Sequence, residues 1–260
     1  MHRFFVSPDL LKEIGAIVSL PKELAHQVRD VLRLAAGERL VLLDNSGDEV
    51  LAALDKSSQA GVAVQLVERQ AGKSESPVRI ILCQGLLKSA RFEWILEKGT
   101  ESGVAVFAPT LCRRSMAGLE DTGPARIQRW QHIIREATEQ SGRSRLPELL
   151  PVRPLLHTLN DLPQHALAIM PWEEERNRHL RHVLDSVIDR RDAAPSTTAA
   201  GSASPPVTVV LFIGPEGGFM AEEVRLAQRY SVQVVTLGPR ILRAETAALA
   251  AIANIMYELE

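Results

Sequence analysis

The sequence predicts an α/β protein in which helices cover a largely parallel sheet and a small, mainly β domain comes first. From residue 78 onward, short apolar runs rich in β-branched residues alternate with stretches of helical periodicity. That alternation is the pattern of parallel strands joined by crossover helices. Residues 1–72 instead alternate short apolar runs with turns, which is typical of a mainly β domain. The stretch 71–77 between the two patterns contains Gly, Ser and Pro and is predicted to be a linker.

The first region is predicted to contain one helix and at least three strands. Helical spacing covers residues 24–34. The apolar run 41–43, the polar turn 44–48 and the run 49–54 together predict a β-hairpin. Residues 62–67 alternate between apolar and polar side chains and predict a further strand.

The second region is predicted to contain five strands and five helices. The predicted strands are 78–83, 104–109, 165–170, 207–213 and 232–237. The predicted helices are 89–101, 124–140, 174–188, 220–230 and 245–259. Residues 192–206 interrupt this alternation, because they are rich in Ala, Ser, Thr and Pro and offer little to bury. We expect that segment to be a mobile insertion.

Composition limits the class of protein. A chain of 260 residues with 45% hydrophobic residues can bury a core, whereas a net charge of −2 gives no overall attraction to nucleic acid. Of the 30 basic residues 24 are Arg, which suits phosphate recognition, although a compositional bias of the genome explains the excess equally well. Cys83 and Cys112 have no ligand-like spacing, so we expect buried thiols and no metal site. The N-terminus does not resemble a signal peptide and no stretch resembles a membrane span, so the prediction is a cytoplasmic protein.

Two glycine-containing stretches near the C-terminus carry most of the functional information. The first loop, residues 213–219, reads Ile-Gly-Pro-Glu-Gly-Gly-Phe, and the second loop, residues 237–246, reads Leu-Gly-Pro-Arg-Ile-Leu-Arg-Ala-Glu-Thr. Each follows a predicted buried strand and precedes a predicted helix. Loops at the carboxyl ends of parallel strands are where open α/β sheets bind ligands. One such loop alone is as well explained by a tight strand-to-helix turn, but two of them predict a shared site.

The same stretches resemble the SPOUT-class RNA methyltransferases, and among them the family of bacterial enzymes that methylate N3 of a uridine in 16S ribosomal RNA (the small subunit methyltransferase E family). The resemblance extends along nearly the whole chain. It rests on both loops and on four further stretches in the same order, namely Arg3–Val6, His26 with Val31–Arg33 and Gly37, Glu97–Val104, and Arg135–Arg143 with Pro147.

The resemblance implies a fold finer than the patterns show. It implies a trefoil-knotted parallel sheet with helices on both faces in a SPOUT methyltransferase domain, residues 77–260. It further implies a PUA-like β-barrel, residues 1–72, as an RNA-binding domain. The implied cofactor is S-adenosyl-L-methionine, and the implied partners are 16S ribosomal RNA in the small ribosomal subunit and a second copy of the chain in a homodimer.

The resemblance also implies site residues. The cofactor pocket would be formed by Met170, Pro171, Trp172, Ile213, Gly214, Pro215, Gly217, Gly218, Leu237, Gly238, Arg240, Ile241, Leu242, Thr246 and Ala247. Catalytic assistance is expected from Arg243 and Glu216, and from Glu245, although both glutamates are as well explained as backbone caps or partners of arginines. RNA contacts are expected from Arg3, His26, Arg33, Arg113, Arg114, Arg135 and Arg143; residues 113–153 contain eight Arg, no Lys and five acidic residues. For His26 a structural role is the stronger interpretation.

Alternatives remain at this point. A methyltransferase of the same class with another RNA target is the nearest one, and a non-catalytic RNA-binding module is another. A nucleotide- or phosphate-binding enzyme is disfavoured because neither loop contains Lys. One departure from the family pattern is Met220, where Ser or Thr is usual three residues before Glu223, so the sequence predicts loss of a helix capping box.

Overall fold

The chain divides into two compact units in a computed structural model that describes residues 1–55, 62–115, 122–193 and 207–260. The first unit comprises residues 1–75 and 135–146, and the second comprises 76–134 and 147–260. The first division falls inside the predicted linker, but the assignment of 135–146 to the first unit was not predicted. Nearly all of the predicted insertion 192–206 lies outside the described residues.

The first unit is built on a five-stranded sheet with the order β1-β3-β4-β5-β2. Its elements are β1 Arg3–Phe5, β2 Ile17–Ser19, α1 Lys22–His26, β3 Arg39–Leu43, β4 Asp48–Leu54 and β5 Ala63–Ala71. β1 and β3 are parallel, and the other pairs are antiparallel. The predicted hairpin is confirmed as β3 and β4. The predicted helix begins two residues earlier than expected and continues as a π turn over Gln27–Val31.

Residues 135–146 belong to the first unit because their polar groups bond to its strands and turns. Glu139 accepts a hydrogen bond from the backbone N–H of Phe5 at 3.0 Å. The side chain of Asn45 accepts one from the N–H of Leu146 at 2.7 Å. These partners are about 100 residues or more apart in the chain, so no local pattern in the sequence indicates the association.

The second unit contains a seven-stranded sheet in which every pair of strands is parallel. Its order is β12-β10-β11-β6-β7-β8, with the short β9 also paired to β7. Its strands are β6 Val78–Gly85, β7 Val104–Leu111, β8 Glu148–Leu149, β9 Arg153–Pro154, β10 Leu167–Pro171, β11 Val207–Ile213 and β12 Gln233–Val235. Its helices are α2 Ser89–Glu101, α3 Pro124–Ser141, α4 Leu155–Asn160, α5 Leu180–Ala193, α6 Ala221–Arg229 and α7 Ala244–Leu259, and of α3 the part from residue 135 onward belongs to the first unit. The predicted parallel α/β fold is therefore confirmed.

Helices lie on both faces of this sheet, as predicted. Alternate residues of β6 point to opposite sides, so Ile80 and Leu82 join one apolar core and Cys83 joins the other. The first core also contains residues of α2, α3, α5 and α7, and the second contains residues of α4 and α6. Strands covered on both faces are apolar at nearly every position, which is why the sequence pattern identified them.

Two parts of the second unit differ from the prediction. Helix α5 begins at Leu180 and not at residue 174, because Glu175 accepts hydrogen bonds from the backbone N–H groups of Arg176, Asn177 and Arg178 and closes a turn there. These N–H groups, that of Asn177 foremost, also lower the pKa of Glu175 below its usual value. Helix α4 and the two short strands before it were not predicted, since two-residue strands leave no periodic signal.

Candidate active site

Three loops meet at the carboxyl edge of the parallel sheet. Strands β12, β10 and β11 are neighbours in that order and run in the same direction, so their carboxyl ends lie side by side. The second loop follows β12 and the first loop follows β11. The third loop, residues 171–178, follows β10. A cavity of about 270 Å³ lies between the three loops, where ligands bind in sheets of this kind.

The cavity wall contains most of the residues predicted for the cofactor pocket. These are Pro171, Trp172, Ile213, Gly214, Pro215, Gly217, Gly218, Leu237, Gly238, Arg240, Ile241, Leu242 and Ala247. Two predicted residues are not part of the wall. Met170 is fully buried in the core beneath the third loop, and Thr246 is exposed on the first turn of α7.

The first loop owes its shape to close backbone contacts that only glycine permits. Gly218 has a φ of +69°, and a Cβ there would overlap the carboxylate of Glu173 from the third loop. At the end of β6, a Cβ on Gly85 would lie 2.5 Å from the nitrogen of Pro215. Beside it, the buried side-chain amide of Gln84 donates to the carbonyl oxygen of Gly214 at 3.3 Å. The loop is thus fixed against both a neighbouring strand and the third loop.

The third loop is held by backbone hydrogen bonds to the end of β12, directly before the second loop. The N–H of Trp172 donates to the carbonyl oxygen of Val235 at 3.0 Å, and the N–H of Thr236 donates to that of Arg178 at 2.8 Å. The hydroxyl of Thr236 accepts a hydrogen bond from the N–H of Gly238 at 3.2 Å. Since Gly238 has a φ of +114°, the turn after β12 uses a conformation that other residues rarely adopt.

The three predicted catalytic residues occupy different positions. Arg243 and Glu216 belong to the cavity wall, and Arg243 is the N-cap residue of α7. Glu245 lies outside the wall in the first turn of α7. Both glutamates pair with Arg91 of α2, whose Nη1 lies 3.1 Å from Glu216 and whose Nε lies 3.8 Å from Glu245. The interpretation of the glutamates as partners of an arginine therefore fits the structure, but the arginine lies outside both loops.

Several residues of this site were not identified in the sequence. The cavity wall also includes Glu173, Arg176, Phe219, Thr236 and Ala244. Arg176 belongs to the stretch 174–188 that the sequence predicts to be a helix, whereas Glu173 lies directly before it, at the predicted strand end 170–173. A polar, charged stretch directly after a buried strand is the signal that could have identified Arg176 as well.

Arg113 and Arg114 follow β7 and lie beside the first loop. The guanidinium of Arg114 donates to the carbonyl oxygen of Gly217 at 2.7 Å. The buried carboxylate of Glu223 accepts the N–H of Arg113 at 2.8 Å and the N–H of Met220 at 2.9 Å. The predicted loss of the capping box at Met220 is therefore only partial, because the glutamate half of that motif is formed. Both arginines are exposed.

The other residues predicted to bind RNA lie in the first unit and differ in accessibility. Arg33 is exposed with a φ of +54°, and Arg135 is exposed with its guanidinium 5.9 Å from the centre of the Phe5 ring. His26 is exposed and lies 2.6 Å from Asp30; hydrogen bonds from Arg29 and then His26 hold the pKa of Asp30 well below its usual range. Arg3 is partly buried against Glu49.

Arg143 corrects one prediction. Only 6% of this residue is exposed, and its guanidinium pairs with Glu75 at 2.8 Å. The same carboxylate accepts the N–H groups of Ser144 and Arg145. Arg143 is therefore a structural residue that ties 135–146 to residue 75 in the first unit, and it is not available to RNA.

Other kinds of site find no support in the described residues. Within the four described ranges, no His, Cys, Asp and Glu side chains form a group of three that could hold a metal ion. None of the helices in those ranges combines the length and the apolar character that a bilayer crossing requires. Burial raises the pKa of both Cys83 and Cys112 well above its usual range, so neither thiol is activated.

A fully parallel sheet with helices on both faces and a cavity between loops at its carboxyl edge defines a ligand-binding protein of the α/β class. Comparison with known proteins gives the family. A model of the RNA methyltransferase domain matches residues 74–256. The ribosomal RNA small subunit methyltransferase E of Bacillus subtilis is 30% identical over 264 residues, which cover 100% of this chain and 98% of that protein. The chain therefore belongs to the ribosomal RNA small subunit methyltransferase E family.

Solved structures agree with this assignment. A crystal structure of a ribosomal RNA small subunit methyltransferase E from Neisseria gonorrhoeae, bound to S-adenosyl methionine, has a TM-score of 0.81 at 28% identity and covers 99% of this chain and 97% of its own. A methyltransferase structure from Legionella pneumophila in complex with the same cofactor has a TM-score of 0.76 at 28% identity and covers 98% of this chain and 96% of its own. The mixed α/β fold of this family is thus shared along the whole chain.

Proposed function

We propose that this protein transfers a methyl group from S-adenosyl-L-methionine to N3 of a uridine in 16S ribosomal RNA. The observation that carries the proposal is the cavity between the three strand-end loops, in a chain whose family consists of small-subunit ribosomal RNA methyltransferases. Relatives of known structure hold S-adenosyl methionine, and the residues of this cavity suit the same cofactor.

The cavity offers each type of group that the cofactor needs. Apolar side chains of Ile213, Leu237 and Leu242 provide surfaces for an adenine ring, and the glycines of the loops expose backbone N–H and C=O groups to its polar edge. The carboxylate of Glu173 has no partner among the described residues. We assign it to the cationic part of the cofactor, because a carboxylate is the natural partner of an ammonium or sulfonium group.

Uridine N3 must lose its proton before it becomes an effective nucleophile. The bound cofactor supplies the methyl group to be transferred. We assign Arg243 to the uracil, because this residue belongs to the cavity wall and its guanidinium has no hydrogen-bond or ion-pair partner among the described residues. A fixed positive charge beside the ring stabilises the negative charge that remains when the proton leaves. The N-terminus of α7, where Arg243 is the cap residue, carries a partial positive charge that also stabilises this negative charge.

The proton leaves either to water or to Glu216, which belongs to the same wall. Glu216 is paired with Arg91, which fixes the position of its carboxylate at the cavity wall. Replacement of Glu216 by Gln distinguishes the two routes. If the carboxylate accepts the proton, the rate at neutral pH falls and is recovered as the pH rises, whereas proton loss to water leaves the pH profile unchanged.

RNA binding is assigned to exposed basic residues in each unit. In the first unit these are His26, Arg33 and Arg135, with Arg3 at its partly buried position. In the second unit they are Arg113 and Arg114, beside the first loop. Arg114 also supports that loop through Gly217. In this proposal the first unit is a small RNA-binding domain of the PUA-like barrel type, and the second unit is the methyltransferase domain.

A knotted chain and a homodimer are further parts of the proposal. The arrangement that supports a trefoil knot is the gathering of the three loops around one cavity, as in the SPOUT class. The feature that supports a dimer is Tyr257 on α7, an aromatic residue that is 86% exposed and lacks a described partner. Sedimentation of the wild-type protein and of Tyr257→Arg tests the dimer. A monomeric wild type at micromolar concentration contradicts it.

The decisive experiment combines cofactor binding with mapping of the product. Purified protein is titrated with S-adenosyl-L-methionine by calorimetry and then incubated with small subunits from a strain that lacks the enzyme. Mass mapping should find one added methyl group on a uridine N3. Arg243→Met should lower kcat/KM by about 100-fold or more, while Arg229→Met, an exposed arginine of α6 outside the cavity wall, should not.

Two outcomes would overturn the proposal. Absence of cofactor binding by folded protein would leave a non-catalytic RNA-binding module. A methyl group on another RNA or another atom would keep the methyltransferase class and replace the substrate.

A further inference from the structure

Arg91 connects two loops that are otherwise separate in the chain. It lies on α2, and its side chain reaches Glu216 in the first loop and Glu245 at the end of the second loop. The bond to Glu216 Oε1 is 3.1 Å long, and the distance from Nε to Glu245 Oε1 is 3.8 Å. Arg91 is not part of the cavity wall, so any effect it has on a ligand acts through these two glutamates.

The burial of the three side chains makes this contact more than a surface ion pair. The side chain of Arg91 is 42% exposed, but those of Glu216 and Glu245 are 24% and 16% exposed. The second carboxylate oxygen of Glu245 is buried and has no hydrogen-bond partner among the described residues. Within that part of the chain, Arg91 is the cation that faces Glu245, so its removal would leave a half-buried carboxylate uncompensated.

The local charge explains why the loops need such a link. Glu173 of the third loop lies against Gly218 and belongs to the same cavity wall as Glu216. Without Arg91, Glu216 and Glu245 would have no cation in contact with either carboxylate among the described residues. Like charges in a partly desolvated environment repel one another, so loss of the cation would favour separation of the first loop from the start of α7.

We propose that Arg91 is a positioning residue that clasps the first loop to the second loop and thereby sets the shape of the cofactor cavity. The inference rests on the proposed function, because it assigns the cavity to the cofactor. Arginine suits this role, because Nε and Nη1 of one planar group can serve two carboxylates at once. Lysine has a single ammonium group and would hold one of them.

The test measures binding of S-adenosyl-L-methionine and steady-state kinetics for the wild type, Arg91→Met and Arg91→Lys. Arg129→Met is the matched control, because Arg129 makes a two-point ion pair with Glu93 of the same helix α2, at 2.7 and 2.8 Å, and touches neither loop. Arg91→Met should bind the cofactor about tenfold more weakly, with a raised KM for the cofactor and an unchanged KM for RNA. The cofactor affinity of Arg91→Lys should lie between those of the wild type and Arg91→Met, and the affinity of Arg129→Met should equal that of the wild type.

Hydrogen exchange without cofactor tests the clasp independently of the proposed activity. Backbone amides of both loops should exchange faster in Arg91→Met than in the wild type, and those of Arg129→Met should not change. If the wild type binds no cofactor, the proposed function fails, and exchange alone decides whether the clasp exists. If Arg91→Met does not fold, Glu245→Gln removes the same pair from the other side and must show the same exchange.

The inference is overturned if Arg91→Met binds the cofactor as tightly as the wild type. It is also overturned if Arg129→Met loses as much affinity, because the loss would then reflect the general stability of α2. Faster exchange in one loop only would show that Arg91 supports that loop and does not clasp the two.

Discussion

Replacement of Gly85 by Ala should disable the site from outside its wall. Gly85 ends strand β6 and does not contact the cavity, but a Cβ on it would lie 2.5 Å from the nitrogen of Pro215 and 2.8 Å from the carbonyl carbon of Gly214. Carbon atoms in ordinary contact are about 3.5–4 Å apart. Either the first loop or the end of β6 must therefore move by about 1 Å, and both are backbone segments that cannot rotate away.

The magnitude follows from that displacement. Overpacking of this kind costs about 1–3 kcal/mol of folding free energy, which a domain with a core on each face of its sheet can tolerate. A misplacement of about 1 Å in a binding site costs roughly 100-fold in activity. We therefore expect Gly85→Ala to remain folded, with a modestly lower melting temperature and a loss of kcat/KM near 100-fold.

The assay is methyl transfer from labelled cofactor to small subunits, with calorimetry for affinity and thermal unfolding for stability. Gly99→Ala is the matched control. A Cβ on Gly99 would meet Cε1 of Phe107 at 2.9 Å, but this is a side-chain contact away from the loops, and alanine gains about 1 kcal/mol of helix propensity. It should keep wild-type activity. A folded Gly85→Ala with wild-type kcat/KM and affinity would refute the reasoning.

Three further predictions follow from single contacts. Gly218→Ala should weaken cofactor binding about tenfold, because alanine at a φ of +69° costs about 1–2 kcal/mol and its Cβ displaces Glu173. The control is Gly15→Ala, since Gly15 has a φ of +94° and no neighbour within 4 Å of the added Cβ. This control should lose a similar free energy of unfolding and keep the wild-type affinity for the cofactor. Arg143→Met should lower the free energy of unfolding, measured in urea, by about 2 kcal/mol because Glu75 loses its partner, and RNA affinity of the folded protein should stay at the wild-type value. Cys83 and Cys112 should resist alkylation in the native state even when the pH rises to about 9, because burial raises the pKa of both thiols; mass spectrometry should find both modified only in denaturant.

The sequence predicted the features that repeat along the chain. The strands of the second unit are apolar at successive positions because both faces of the sheet are covered. That pattern can be recognised in the sequence without knowing which strands pair. The two glycine loops were predictable because glycine and proline mark the points where such strands stop. Those two loops supply most of the cavity wall, and the third loop supplies Pro171, Trp172, Glu173 and Arg176.

The contacts that the sequence could not reveal join residues far apart in the chain. Arg91 precedes its partner Glu216 by 125 positions, and the closeness of Gly85 to Pro215 is visible only when β6 and β11 lie side by side. The late start of α5 has a different cause. The residues 174–179 have acceptable helical spacing, but Glu175 bonds to three N–H groups directly after it and closes a turn, which competes with the helix.

The arginines around the site fall into two groups, those that are paired with protein groups and those that are not. The arginine-rich composition therefore reflects two different roles. Arg91 is held by two carboxylates and Arg114 by a carbonyl oxygen of the first loop. Arg240 and Arg243, in contrast, belong to the cavity wall, and their guanidinium groups have no hydrogen-bond or ion-pair partner among the described residues. A buried or paired arginine has already exchanged its hydration for protein contacts, whereas an unpaired one keeps its donors for an anion. Arg91 and Arg114 therefore shape the loops, whereas Arg240 and Arg243 keep their donors for a ligand of the cavity, which is why the proposed function assigns Arg243 to the uracil.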